Sequence, residues 1–527
     1  MKKICFVITL LLTALNSYTQ ISPVNWQTLI SSDCENVSVD ISFIQNGIIF
    51  LAGNFISENV AIGDFILKNN SPADAPFKND FFIASINEKG KIINVFKYPG
   101  ERFGTIKDMI VTDYFIYAIA FLYDSKGNYG FFLLKFNMKG ELLNEVYFDT
   151  YLKDFTFHLS CLTVDSDENI YVSGISKSDS INIGHFKNQI SKEQKYYSFI
   201  IKFSPNLSLK WVKAINFFEV YPFYEEIRDI KVDESQNLYF LKTRSLIILD
   251  KDGNHIKNIE FGALYGSFVN VTPLNSGEFY LIGNFCSPDY EYKNIKLIKE
   301  RPGQNAVFLI KFSTGFHPVW GKLIEGDQYL GIDIANNYTI NRATCIVKDR
   351  LFIHLSLMGT YILSNHKKIS INNINNPITN VLVVLDNNAN IGNIFPVFPG
   401  NIFTGMTDEK NYVAVYKEFQ DHYHFDSLNP YFSMKGWVVR KRALVTFSQM
   451  NEDQKIKEFS VYPNPSLNGK FTITSSSSIQ GKNYVYDLNG NLILETESTS
   501  IDLSNFPKAS YLLKSEQFPN AVWLLSQ

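Results

Sequence analysis

Between residues 38 and 416 short apolar strands alternate with polar turns, and one phrase recurs. It is a short apolar strand, a polar turn, and a second strand rich in aromatic and β-branched residues. Copies stand at 38–53 (SVDISFIQNGIIFLAG), 107–120 (KDMIVTDYFIYAIA), 160–174 (SCLTVDSDENIYVSG) and 228–241 (RDIKVDESQNLYFL). Others follow at 268–283 (FVNVTPLNSGEFYLIG), 343–355 (ATCIVKDRLFIHL) and, more weakly, 402–416 (IFTGMTDEKNYVAVY). The turns carry Asn, Asp, Gly and Ser, which suit the tight or left-handed conformations of hairpin loops. After each copy comes a nearly continuous apolar run: 82–86, 131–136, 199–203, 246–249, 308–312, 381–385 and 437–447. Such runs predict strands covered on both faces. Trp211 and Trp320 mark a further strand in two of the units.

The two phrases alternate, seven of each, at intervals of roughly 40 to 70 residues, and four short antiparallel strands per unit is the arithmetic of a β-propeller blade. Each unit buries its faces only against neighbours, so the array is stable as a ring or a stack. The expected fold class is all-β: a seven-bladed β-propeller over 21–449, then a small C-terminal β-sandwich. Two stacked β-sandwiches are the alternative for the repeat region. Trp26-Gln27-Thr28-Leu29 looks like the Trp211 and Trp320 strands yet precedes the first full unit, while the last unit lacks such a strand. The N-terminal strand is therefore expected to close the last blade and leave no edge exposed.

At the N-terminus, Lys2 and Lys3 precede an apolar run over 4–12 that continues through Ala14 and Leu15, and Asn16, Ser17, Thr19 and Gln20 follow. A basic start, an apolar core and a polar exit predict a signal peptide over 1–20. A membrane anchor would need ~20 apolar residues, and no later stretch is long and apolar enough, so no transmembrane segment is expected. Cys5 lies inside the apolar core, which argues against a lipoprotein cleavage site. At the other end, 450–458 (MNEDQKIKE) reads as a charged linker and 459–527 as a separate module. Pro463 and Pro465 fix φ and withhold backbone donors, so the module opens on an extended turn rather than a central strand. Runs at 470–474, 483–487 and 510–514 predict strands.

Composition narrows the partners. The chain has 527 residues with a net charge of −3, 15% of them aromatic and 19% charged. That length exceeds one small core. Near-neutrality excludes a nucleic-acid binder, which needs a basic face for phosphates. The aromatic content excludes disorder. Beyond the leader the cysteines are Cys34, Cys161, Cys286 and Cys345, dispersed and without a CxxC pair, so zinc and thioredoxin-like sites are not suggested. Export would allow them to oxidise, but their spacing favours buried apolar thiols.

The repeats resemble a family of bacterial β-propeller repeats. The resemblance is carried best by Val164-Asp165, Asn169-Ile170-Tyr171-Val172-Ser173-Gly174 and Phe199-Ile200-Ile201-Lys202-Phe203. Val232-Asp233 with Asn237-Leu238-Tyr239, Gly283-Asn284-Phe285, and Phe308-Leu309-Ile310-Lys311-Phe312 extend it. It implies architecture and no activity. The tail resembles the type A C-terminal sorting domain of the type IX secretion system of Bacteroidetes-type bacteria. The matching positions are Val461, Tyr462, Pro463, Asn464, Pro465, Gly469 and Phe471, then 485–490 (VYDLNG) with Asp487 and Gly490, 501–504 (IDLS), and 511–514 (YLLK) with Tyr511. Ala509-Ser510 stands where the family usually has Gly, and the final residues lack the family's common basic ending. The resemblance implies export, recognition of the tail by the type IX machinery, and a secreted or outer-membrane surface-attached product. An ordinary β-sandwich stalk is the alternative.

Chemistry is sparse. Asp165-x-Asp167-x-Asn169 and Asp250-x-Asp252-x-Asn254 have alternate-oxygen spacing, but neither has the glycine and glutamate of an EF-hand. Both lie at predicted turns, so calcium is the lesser reading and no cofactor is expected. Of eight histidines only His422 and His424, beside Asp421 and Asp426, cluster locally, and a solvated loop is the preferred reading. No GxSxG, HExxH, phosphate loop or dinucleotide fingerprint occurs, Glu225-Glu226 is a bare charge pair, and neither catalytic nor metal residues are assigned. Three classes remain: a module binding an unknown protein or glycan, a polysaccharide-acting hydrolase, and a structural scaffold. The missing catalytic motifs rank the binding module first.

Overall fold

The computed structural model describes residues 24–32, 37–72, 75, 78–149, 157–176, 180–183, 186–189, 197–215, 227–243, 245–260, 266–285, 289–299, 306–326, 329–331, 344–347, 350–363, 368–371, 379–386, 391–397, 401–406, 411–420, 433–443, 459–462, 468–475, 481–487, 492–507, 510–515 and 518–526. Every regular element among them is a strand. Contacts divide the chain into two compact units, one spanning 24–444 and one that includes 445–527.

In the larger unit the strands pair antiparallel, in fours. Val37–Gln45, Ile48–Phe55, Asp80–Ile86 and Ile92–Phe96 form the first sheet, and Phe103–Val111, Phe115–Tyr123, Tyr129–Asn137 and Leu142–Asp149 the second. Phe157–Val164, Ile170–Ser176, Tyr197–Phe203 and Leu209–Ile215 make the third. Ile227–Val232, Leu238–Lys242, Ser245–Leu249 and His255–Glu260 make the fourth. Gly266–Pro273, Phe279–Phe285, Ala306–Phe312 and Pro318–Gly326 make the fifth, joined by pairing to a sixth group of Thr344–Val347, Arg350–Leu363, Thr379–Leu385 and Ile391–Val397. In the last group, Asn401–Met406, Asn411–Gln420 and Ser433–Ala443 are followed by Val24–Ser32 from the far end of the chain.

Burial follows the sequence pattern. Asp80–Ile86 and Tyr197–Phe203 are buried at every position, whereas the outer strand Ile92–Phe96 is half-exposed. Apolar clusters are shared by neighbouring sheets. Phe50, Phe81 and Ile83 of the first sheet pack with Ile106, Ala118 and Phe136 of the second. Val413 and Val415 of the last pack with Leu51, Phe82 and Ile86 of the first.

The repeated motif residues acquire physical reasons. Asp165 caps its turn: Oδ1 accepts the N–H groups of Asp167 at 3.0 Å and Asn169 at 2.8 Å, while Glu168 takes φ +60°. Asp250, Asn254 and Gly253 repeat the arrangement. At Gly174 an added Cβ would collide with the His158 carbonyl and the Phe199 ring, so the closing glycine admits a close strand crossing. Lys135 and Lys202, the lysines of the apolar runs, donate to turn carbonyls of the following sheet, Pro205 at 2.7 Å and Lys251 at 3.0 Å. Fourth-strand side chains do the same: Asn94 to Lys139 O, Asn144 to Asn206 O, and Thr28 of the N-terminal strand to Gly90 O at 2.9 Å.

Two hairpins inserted between second and third strands pair onto the outer strand of the preceding sheet, whereas Asp289–Tyr292 with Ile295–Ile298 forms a two-stranded sheet of its own. Asn59–Ile62 with Phe65–Lys68 extends Val24–Ser32, and Ser180–Ile183 with Phe186–Gln189 extends Leu142–Asp149. The far end of Arg350–Leu363 pairs with Pro318–Gly326. These three insertions cover edges that would otherwise offer free backbone groups.

In the smaller unit, Phe459–Tyr462, Lys470–Ser475 and Ser500–Asp502 form one sheet. Leu492–Thr496, Asn483–Tyr486, Ser510–Ser515 and Phe518–Ser526 form another. Phe471, Ile473 and Ile501 of the first share one buried cluster with Val485, Tyr511 and Leu513 of the second.

Candidate functional site

The first strands of the sheets lie side by side, and their geometry is the most regular feature of the larger unit. Pairing slips at the same place in each of six: between Val39 and Ile41, Ile106 and Asp108, Leu159 and Cys161, Ile227 and Asp229, Phe268 and Asn270, and Phe403 and Gly405. A bulge leaves one residue outside the ladder and re-aims its side chain. Asp40, Lys107, Ser160, Arg228, Val269 and Thr404 hold that position. Burial lowers the pKa of Lys107 against the opposing charge of Asp40. It also lowers that of His158, which the nearby Lys107 charge depresses further. Lys107 of the second sheet therefore lies within electrostatic reach of Asp40 in the first and of His158 in the third.

In three of the six the residue after the bulge fastens the next sheet. Asp108 Oδ2 accepts the Leu162 N–H at 2.8 Å. Asp229, with a fully buried side chain, accepts from the Ile230 N–H at 2.9 Å, Lys231 Nζ at 2.8 Å, Asn270 Nδ2 at 3.0 Å and the Val271 backbone. Burial raises its pKa, and Lys231 acts against the rise. Asn270 Oδ1 in turn accepts from Thr272 at 2.7 Å and from Thr344 of the following sheet at 2.8 Å. Burial pushes the Cys345 thiol up to about 12, with the Met406 backbone of the last sheet opposing it.

At the end of this network a cleft of about 260 Å³ opens between the fourth and fifth sheets. Lys231, Val232, Asp233 and Glu234 form one wall, and Asn270 to Asn275 with Thr344 form the other. Asp233 is occupied: its oxygens accept the Asn237 N–H and amide and the Tyr239 hydroxyl. Glu234 and Asn275 are exposed at the mouth.

The sequence-derived site residues distribute as follows. Asp165 takes donors from Asp167, Asn169 and Tyr171, and Asp250 from Asp252 and Asn254, so both carboxylates serve turns. Among the described residues no group of three or more His, Cys, Asp or Glu is placed to hold a metal. His422, His424, Asp421, Asp426, Glu225 and Glu226 lie outside the described residues, as do Cys34 and Cys286. Neither Cys161 nor Cys345 is in a disulfide. In the tail, Tyr462 ends an edge strand, while Pro463, Asn464, Pro465 and Gly490 lie outside the described residues. Gly469 takes φ +75° and its carbonyl accepts the Leu503 N–H at 2.7 Å. Asp487 follows the strand Asn483–Tyr486, and Tyr511 is buried with its hydroxyl on the Pro507 carbonyl at 2.5 Å. Sequence reasoning missed the fastening residues. Their signal was present, since Asp108, Asp229 and Asn270 each stand four residues before the residue that opens the turn, Thr112, Asp233 and Leu274.

Residues 460–521 match the family described as a secretion system C-terminal sorting domain. The chain therefore carries an export signal for type IX secretion, which delivers it to the cell surface or beyond, and its tail is recognised by the secretion machinery. No curated protein matches the sequence. Among solved structures, the WD40 domain of Neurospora crassa Pan2 is similar over 78% of this chain and 97% of its own, at 9% identity and TM-score 0.36. A protein of unknown function from Dyadobacter fermentans is similar over 68% and 97%, at 8% identity and TM-score 0.35. One from Bacteroides caccae is similar over 56% and 92%, at 12% identity and TM-score 0.27. At such scores the architecture rests on the strand pairing of this chain itself. No helix among the described residues is long and apolar enough to cross a membrane.

Proposed function

We propose that the larger unit is a seven-bladed β-propeller closed by Val24–Ser32, and that it acts outside the cell as a non-catalytic module binding protein or glycan. A signal peptide over 1–20 starts its export. A C-terminal β-sandwich completes it, with Tyr462, Pro463, Asn464, Pro465, Gly469, Asp487, Gly490 and Tyr511 as the sorting motif. The observation that carries the binding reading is the use made of the ionisable groups on the first strands. Asp108 and Asp229 accept hydrogen bonds that fasten neighbouring sheets, and Lys231 is tied to Asp229. General acid–base catalysis needs a group within reach of the substrate and able to exchange its proton. Groups held in this way supply rigidity, and a rigid scaffold with variable loops at its ends is suited to recognition.

The test is a protein and glycan array probed with the purified full chain, run beside a hydrolysis screen on the same polysaccharides. Retention of a ligand without product is expected, and release of reducing sugar overturns the reading. For the tail, a fusion of 457–527 to a periplasmic reporter is expected to leave the periplasm. Its retention there removes the sorting role.

A further inference from the structure

We infer that the cleft between the fourth and fifth sheets holds one neutral sugar residue, the end of a glycan chain, and so names the ligand class of the binding module proposed above. Size comes first. At about 260 Å³ the cleft falls just under the ~300 Å³ at which ligand clefts usually begin, so its occupant is a small unit. A folded protein partner would instead need a surface of roughly 1,200–2,000 Å².

The lining supplies the second reason. Val232, Pro273 and Leu274 are apolar; Lys231 is paired with Asp229, and Asp233 is engaged by Asn237 and Tyr239, so Glu234 is the lining carboxylate that faces a ligand. A pyranose ring presents apolar C–H faces and hydroxyls that both donate and accept, and it carries no charge to satisfy. Glu234 accepts, while Asn275 accepts and donates; both are exposed at the mouth, and neither is hydrogen-bonded to another described residue. The third reason is rigidity. The chain Asp229–Asn270–Thr272, with Thr344, fixes the inner wall before any ligand arrives, which lowers the ordering cost of binding.

The experiment is calorimetric titration of the full chain with neutral gluco-, manno-, galacto- and N-acetylglucosamine oligosaccharides of one to four residues. At least one series is expected to bind, with affinity set by the terminal residue. Glu234→Gln should weaken it about tenfold, the worth of one charged hydrogen bond. Asn275→Trp, which fills the mouth, should abolish it. Both positions are exposed, so melting temperatures should match the parent chain. A saccharide bound equally well by both variants overturns the cleft and leaves the binding module standing, and so does a protein ligand with no saccharide response. Cleavage of the titrated oligosaccharides overturns the module.

Discussion

The two units bury their apolar residues in different ways. In the larger one the clusters lie between sheets: Tyr239 and Leu246 of the fourth sheet share a cluster with Phe279 and Phe308 of the fifth, and Cys161 and Tyr171 of the third share one with Ile230 and Phe240 of the fourth. In the tail one cluster, from Phe471 to Leu513, serves both of its sheets. A sheet of the array therefore has no core of its own, and its stability is a sum of interfaces with its neighbours. The tail is self-sufficient on a small scale, which suits a segment read by a separate machine.

The sharpest way to break the contrast is to remove residues 25–31. This deletes the strand paired with Ser433–Ala443, together with buried Ile30, and uncovers the faces on either side of that seam. The cost is on the order of 5 kcal/mol or more, and calorimetry should show the transition of the larger unit falling while that of the tail stays in place. Next in size, Phe471→Ala should cost the tail about 3–5 kcal/mol. The expected result is loss of the tail transition and of export, with the larger unit melting as before.

Acid sets the third test. His354 is buried, and burial pulls its pKa down to about 4 from the usual 6.5. Below pH 6.5 the unfolded chain takes up a proton that the folded chain refuses, so stability falls as pH drops and levels off near 4. The loss is roughly 3 kcal/mol at most. Denaturant melts at pH 7, 5.5 and 4.5 should show this slope in the larger unit, and His354→Gln should flatten it. The smallest effects compare the fourth-strand side chains. Thr28→Val should cost about 1 kcal/mol, and the more exposed Asn94→Ala and Asn144→Ala about 0.5 kcal/mol each, if the three bonds to turn carbonyls do one job. A zero effect at Thr28 alone would set the N-terminal strand apart from the others.

Much of the fold is legible along the chain. The run FIIKF at 199–203 is continuous because its strand is covered on both faces, and it is observed within Tyr197–Phe203. The DSDEN turn at 165–169 is readable because Asp165 accepts local backbone N–H groups and the Asn169 amide donates to the same carboxylate. The candidate site is far less so. Asn270 looks like an ordinary polar strand residue until the bulge beside it turns it toward Asp229, 41 positions away, and toward Thr344. Similarly, the 180–189 hairpin is two short strands in sequence, and its partner, Leu142–Asp149, lies across the seam in another sheet.

By itself the sequence determined the strand-and-turn rhythm, the all-β class and the sorting tail, because side-chain periodicity, turn residues and a short ordered motif are local properties. Tertiary structure alone decided which edges pair, where each ladder slips by one residue, and that a cleft opens beside Lys231 and Asn275. Backbone donors and acceptors are nearly the same at every position, so sequence marks where a strand is but not which distant strand completes it. That choice belongs to the packing of the sheets.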